Sequence, residues 1–161
     1  MLPTFYNNNY HIVQTRDYLV INVEMIHDVR IIPLDGRPHG NITQWMGDSR
    51  GHWEGNTLVV ETINFNGKRG WFGTPMTEGG GGRRPDAKMR VIERFTRTAP
   101  DILLYQFTID DPGTYTQPWS GEIPMRSFPG PVYEYACHEG NYGMQLILSG
   151  ARSDEKNAVG H

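Results

Sequence analysis

Residues 45–65 read WMGDSRGHWEGNTLVVETINF, and this stretch decides the fold class. Two β-rich arms flank Glu54-Gly55-Asn56, where a glycine beside an amide supplies the backbone freedom of a tight turn. A hairpin is expected, with its return strand at 57–65. The period of two along that strand puts Glu61 on the face of Val59, Ile63 and Phe65.

Working outward, the same pattern recurs on both sides. Runs at 12–15, 18–26 and 29–34 are β-rich and are separated only by Arg16-Asp17 and His27-Asp28, which predicts a tight meander ending at Asp35-Gly36. In the second run Leu19, Ile21, Val23 and Met25 share one face, and Val20, Asn22, Glu24 and Ile26 share the other. Runs at 89–97 and 102–110 form a second hairpin across Ala99-Pro100-Asp101, with Leu103, Tyr105, Phe107 and Ile109 alternating against Leu104, Gln106, Thr108 and Asp110. Strand-like segments follow at 115–125 and 132–136, and then 141–148 reads as one short helix ended by Gly150. Between the hairpins, residues 67–85 hold four consecutive glycines and Arg83-Arg84-Pro85, the composition of a mobile loop that acts as a lid.

The 161 residues, with 19 Gly and 11 Pro, suit one domain spanning 1–161 and built of many short strands joined by turns. Strands in sequential hairpins expose sheet edges unless they close or stack. The expected fold is therefore all-β: an antiparallel up-and-down, lipocalin-like β-barrel of about eight or nine strands with one short C-terminal helix. The mixed faces carrying Asn22, Glu24, Gln106, Thr108 and Asp110 are expected to line its interior as a small-molecule pocket. Fifteen basic and eighteen acidic residues are dispersed without a block of either sign, which disfavours nucleic acid as a partner. No apolar run approaches the ~18 residues of a membrane span. The opening MLPTFYNNNY is loop-like and lacks a secretory core, so a soluble chain is expected, and an exported one (periplasmic or extracellular) if a leader is absent here.

The densest chemistry lies at 133–142, YEYACHEGNY. His138 suits a general acid or base, with Glu139 fixing its tautomer and Glu24 or His27 as further proton-transfer groups. The competing structural role is a cap, with Glu139 and Asn141 satisfying amides at the start of the last helix. Trp45, Trp53, Tyr115, Trp119 and Tyr135 are candidate stacking surfaces for a ligand, with Arg37 and Asp110 as its polar contacts. No cofactor is required by this reading. A divalent transition metal becomes possible if His27, His39 and His138 converge, since imidazole and carboxylate suit zinc, copper or iron, although no His-x-His or His-x-x-x-His pair anchors such a site. Gly47-Asp48-Ser49-Arg50-Gly51 reads as a structural turn, because a nucleophile elbow needs a helix where a hairpin follows. Asp110-Asp111-Pro112 reads as a turn initiator, and Cys137 as a buried small hydrophobe.

The run WMGDSRGHWEGNTLVVET at 45–62, followed by Asp110-Asp111-Pro112 and Tyr115-Thr116-Gln117-Pro118-Trp119, resembles a family of uncharacterised bacterial proteins. They share the pattern W-x-G-D-S-x-G-x-W-E-G-D/N-T-L-V-V-E/D-T. The resemblance spans most of the chain and implies an exported origin. It implies no activity and no functional residues.

Three functions follow as expectations. One is an enzyme of hydrolase or lyase type, working by His/carboxylate acid-base chemistry on a small polar or carbohydrate-like substrate. Another is a barrel that binds a small ligand without altering it. The third is a His/carboxylate metalloenzyme.

Overall fold

The computed structural model describes residues 9–24, 28–67, 87–134, 136 and 139–159. Among them are eight strands and one helix: β1 (Tyr10–Gln14), β2 (Tyr18–Val23), β3 (Val29–Pro33), β4 (Asp48–Glu54), β5 (Thr57–Ile63), β6 (Arg90–Ala99), β7 (Ile102–Asp110), β8 (Trp119–Arg126) and α1 (Gly143–Val159). The strands form two antiparallel sheets, β1-β2-β3 and β4-β5-β6-β7-β8, in which every strand pairs with its neighbour in sequence. The central hairpin takes the expected form, with Glu54 opposite Thr57 across the two-residue Gly55-Asn56 turn.

Neither sheet closes on itself. The up-and-down order expected of a barrel holds within each sheet, but β3 meets β4 through side chains and not through a ladder. Gly51 on β4 shows why. A β-carbon there would lie 2.7 Å from Leu34 Cδ2 and 3.1 Å from Ile32 Cγ2, so the side chains of the first sheet rest on the bare backbone of the second. The result is face-to-face contact. The apolar core fills that interface, with Leu19, Ile21 and Ile32 from one sheet and Leu58, Val60, Val91, Phe95, Tyr105, Phe107 and Ile109 from the other.

Strand periodicity is borne out, but the interior is not the side expected. The mixed faces with Asn22, Glu24, Gln106, Thr108 and Asp110 point away from the core and are only partly covered. Gln106 donates to Glu122 and Thr108 bonds Ser120, both as exposed cross-strand pairs on an outer face. Burying the apolar faces removes more hydrocarbon from water and leaves those polar groups solvated, so the apolar side wins.

Two segments near the C-terminus also differ from expectation. Residues 132–134 and 136 lie outside any strand. Pro129 and Pro131 immediately upstream lack the N–H that a ladder requires. The helix does not end at Gly150 but runs on to Val159, because a glycine costs only about 1 kcal/mol inside a helix and Ala151 and the following residues continue it. Asn141 does cap its start, accepting the Gly143 N–H at 3.0 Å. No described helix is long and apolar enough to cross a membrane. The expected lid falls almost wholly at 68–86, outside the described residues.

Candidate functional site

Two polar clusters stand out, one sealed between the sheets and one at the surface. The sealed cluster begins with Arg30, which shares the inward face of β3 with Ile32. Its guanidinium donates from Nη1 to Glu93 Oε1 at 2.9 Å and from Nη2 to Glu93 Oε2 at 2.6 Å. Nη2 also reaches Ser49 Oγ at 3.2 Å and Thr62 Oγ1 at 3.3 Å, and those two hydroxyls bond each other at 2.8 Å. The Tyr105 hydroxyl donates to Glu93 Oε1 at 3.0 Å. Burial opposes the charge on Glu93, yet the adjacent Arg30 overcomes it and holds the carboxyl far below its usual range. Burial and the same carboxylate push Tyr105 up strongly and Tyr10 up to about 12. Ser49 is thus a buried structural hydroxyl, but it lies within β4, paired with Thr62, and not in the turn expected at 47–51.

The surface cluster is built by the connection from β3 to β4. After β3 the chain leaves the core and returns as a strap over the outer face of the second sheet, where alternation puts Asp48 and Glu61 opposite to Ser49 and Thr62. Several bonds pin this strap. Gly40 N–H donates to Asp48 Oδ2 at 2.9 Å, Asn64 Nδ2 donates to the Gly40 carbonyl at 2.7 Å, and Arg50 Nε donates to the Pro38 carbonyl at 3.1 Å. Gln44 completes it, its N–H reaching the Asn64 carbonyl and its own carbonyl accepting from Asn66 N–H. Asn64 takes a φ of 59°, a left-handed conformation that asparagine tolerates better than most residues. Gly47 turns the strap back into β4 at φ 70°, and a β-carbon there would sit 2.7 Å from Thr62 Cγ2 and 2.8 Å from the Ile63 carbonyl.

The strap lays His39 between two carboxylates. Its Nδ1 is 3.2 Å from Asp48 Oδ2, and its Nε2 is 3.5 Å from Glu61 Oε2, an ion-pair distance without hydrogen-bond geometry. The imidazole is 18% exposed. Each carboxylate is also held by an arginine, Asp48 by Arg50 and Glu61 by Arg90. Partial burial raises both carboxyls, but the Gly40 N–H and Arg50 at Asp48, and Arg90 at Glu61, bring both below their ordinary values. The ring is thus held with Nδ1 against Asp48, while Nε2 is shielded from solvent and makes no hydrogen bond among the described residues.

The residues singled out in the sequence distribute as follows. His138, His27 and Tyr135 lie outside the described residues. Glu139 is exposed in the turn before α1, and Glu24 accepts from Asn9 Nδ2 at 2.8 Å just beyond β2. Tyr115 and Trp119 pack edge to face at 5.9 Å, and Trp119 meets Phe107 at 5.5 Å, so both extend the core. Trp45 and Trp53 are exposed. Arg37 pairs with Asp35, pulling that carboxyl down to about 2, and stacks over the Tyr18 ring. Asp110 sits half-buried at the end of β7, opposite Arg90. The Asp111 carbonyl accepts from Thr114 and Tyr115, in keeping with a turn role. Among the described residues no group of three or more His, Cys, Asp and Glu side chains could hold a metal ion; of the candidate metal set only His39 is described, and its Nδ1 faces Asp48.

Asp48 and Glu61 escaped sequence reasoning as partners of His39, since their closeness depends on the path of the strap. The sealed pair left a signal that could have been read: Arg30 shares parity with Ile32, and Glu93 with Val91 and Phe95, a charge on each of two apolar faces. Comparisons with protein-family models, curated proteins and solved structures find no match for this chain.

Proposed function

We propose that the protein is an enzyme of hydrolase or lyase type, acting by acid-base chemistry on a small polar or carbohydrate-like substrate, with His39 as its proton-transfer group. One observation carries this reading: an imidazole with Nδ1 aligned on one carboxylate and Nε2 facing a second. Asp48 orients the ring and stabilises the imidazolium formed when Nε2 takes a proton. Glu61, 3.5 Å from Nε2, is the second acid-base group of the proposed site. A barrel-like relation between the sheets belongs to the same proposal, supported by the way β3 rests on β4. So does an exported setting, supported by the resemblance carried by residues 45–62.

The test is a panel of esters, lactones, glycosides and substrates prone to β-elimination, assayed with wild type and His39→Gln at matched thermal stability. The expected result is turnover by the wild type that falls roughly 10²- to 10⁴-fold in the variant. Undiminished turnover in His39→Gln defeats the assignment. A ligand that stabilises the protein and is recovered unchanged would favour a binding module instead.

A further inference from the structure

Resting on the acid-base reading, we propose that the His39 site takes an amphipathic anion, a compound carrying a carboxylate or phosphate group on a ring or short acyl body.

The first support is an inventory of donors and acceptors. Asp48 and Glu61 would attract a cation if they stood alone, but each is neutralised by a guanidinium. The guanidiniums, in contrast, are not used up. Arg90 spends only Nε, on Glu61 Oε1. Arg50 spends Nε on Pro38 and Nη1 on Asp48 and Ser49. Among the described residues, both Nη atoms of Arg90 and Nη2 of Arg50 have no hydrogen-bond acceptor. A guanidinium presents five N–H donors in a planar fork that fits oxyanions, and Arg90, half-exposed, is open to solvent. Arg50 lies directly opposite Glu61 on β4, while Arg90 reaches Glu61 from β6, so the two forks flank the carboxylate that faces His39. These open donors stand beside open acceptors too, Glu61 Oε2 and the Asp110 carboxylate opposite Arg90, so the anion is held by the guanidinium forks on the side away from those oxygens. An incoming oxyanion gains charge-assisted bonds from the open Nη atoms of Arg90 and Arg50.

The second support is independent and concerns the body of the ligand. The strap that carries His39 also carries Ile42, 72% exposed, and Trp45, 58% exposed, on either side of its Gln44 anchor. Two large apolar side chains held in water on a hydrogen-bonded loop offer a surface for a ring or acyl chain, and indole is the side chain best suited to stack on either.

The test uses the full chain and three probes: phenyl phosphate, inorganic phosphate and benzamidine, which has the same ring with the opposite charge. Heteronuclear NMR follows the His39 ring, the Trp45 indole and the Arg90 Nε–H. Phenyl phosphate is expected to shift all three signals saturably, and benzamidine none. Arg90→Gln should weaken phenyl phosphate roughly tenfold or more, the loss of a charge-assisted pair. Trp45→Ala should weaken phenyl phosphate while leaving inorganic phosphate unchanged. Equal binding of benzamidine, shifts that do not saturate, or an Arg90→Gln variant that binds as wild type would each overturn the inference. His39→Gln separates this inference from the reading beneath it. If that variant keeps full turnover the acid-base assignment fails, whereas the anion site stands or falls on Arg90.

Discussion

Arg30 on β3 and Glu93 on β6 form a two-pronged ion pair across the interface between the sheets, with side chains 5% and 1% exposed. Both charges gave up their hydration to reach it, so each depends on the other. Glu93→Ala is expected to destabilise the fold by about 3–5 kcal/mol because it strands a buried guanidinium. Replacing both residues together, Arg30→Met with Glu93→Leu, should cost much less. Urea denaturation of the three proteins measures this, and equal losses in the single and double variants would contradict it.

The same pair sets the acid limit of stability. The carboxyls of Glu93, Asp48 and Glu61 are all depressed in the folded protein, from reference values of 4.5, 3.8 and 4.5. A depressed carboxyl contributes its stabilisation above its unfolded pKa and loses it as pH falls through the folded value. Stability should therefore be flat with respect to these groups above about pH 5 and decline below it. Glu93→Gln should flatten that decline. Equilibrium unfolding at a series of pH values reads both slopes.

Asp48→Asn tests the strap. The substitution preserves shape but removes the charge that accepts from Gly40 and faces His39 Nδ1. Loss of a hydrogen bond to a charged acceptor costs about 1.5–3 kcal/mol. Amide hydrogen exchange at Gly40 should accelerate, while exchange in the β6-β7 ladder stays as it was.

Gly51→Ala should destabilise by about 1–3 kcal/mol, since the added methyl collides with Leu34 and Ile32. Gly150→Ala has the opposite sign. At this exposed helical position alanine should add about 1 kcal/mol of helix propensity, visible as stronger ellipticity at the helical wavelength.

How far the sequence carried these conclusions depends on the range of the interaction. Strand positions followed from local alternation, as in Tyr105-Phe107-Ile109 against Gln106-Thr108-Asp110, and the central turn followed from Gly55-Asn56. The choice of interior face did not follow from one strand alone, because alternation is the same whichever side is buried. Comparison across strands resolves it: the Tyr105 face joins Leu58, Val60 and Ile21, whereas the Gln106 face meets Glu122. His39 was legible as a chemical group and illegible as a site. It lies nine residues from Asp48 and twenty-two from Glu61, and only the strap, fixed by backbone bonds from Gln44 and Asn64, brings the three together.

The sequential pairing of strands within each sheet also bears on how the chain reaches this state. Each ladder closes a short loop except that between β5 and β6, which must span residues 64–89. Local ladders cost little loop entropy and form early, so the hairpins β4-β5 and β6-β7 should mature independently. The slow step is then their meeting, and the rate of folding is governed by one closure in the middle of the chain.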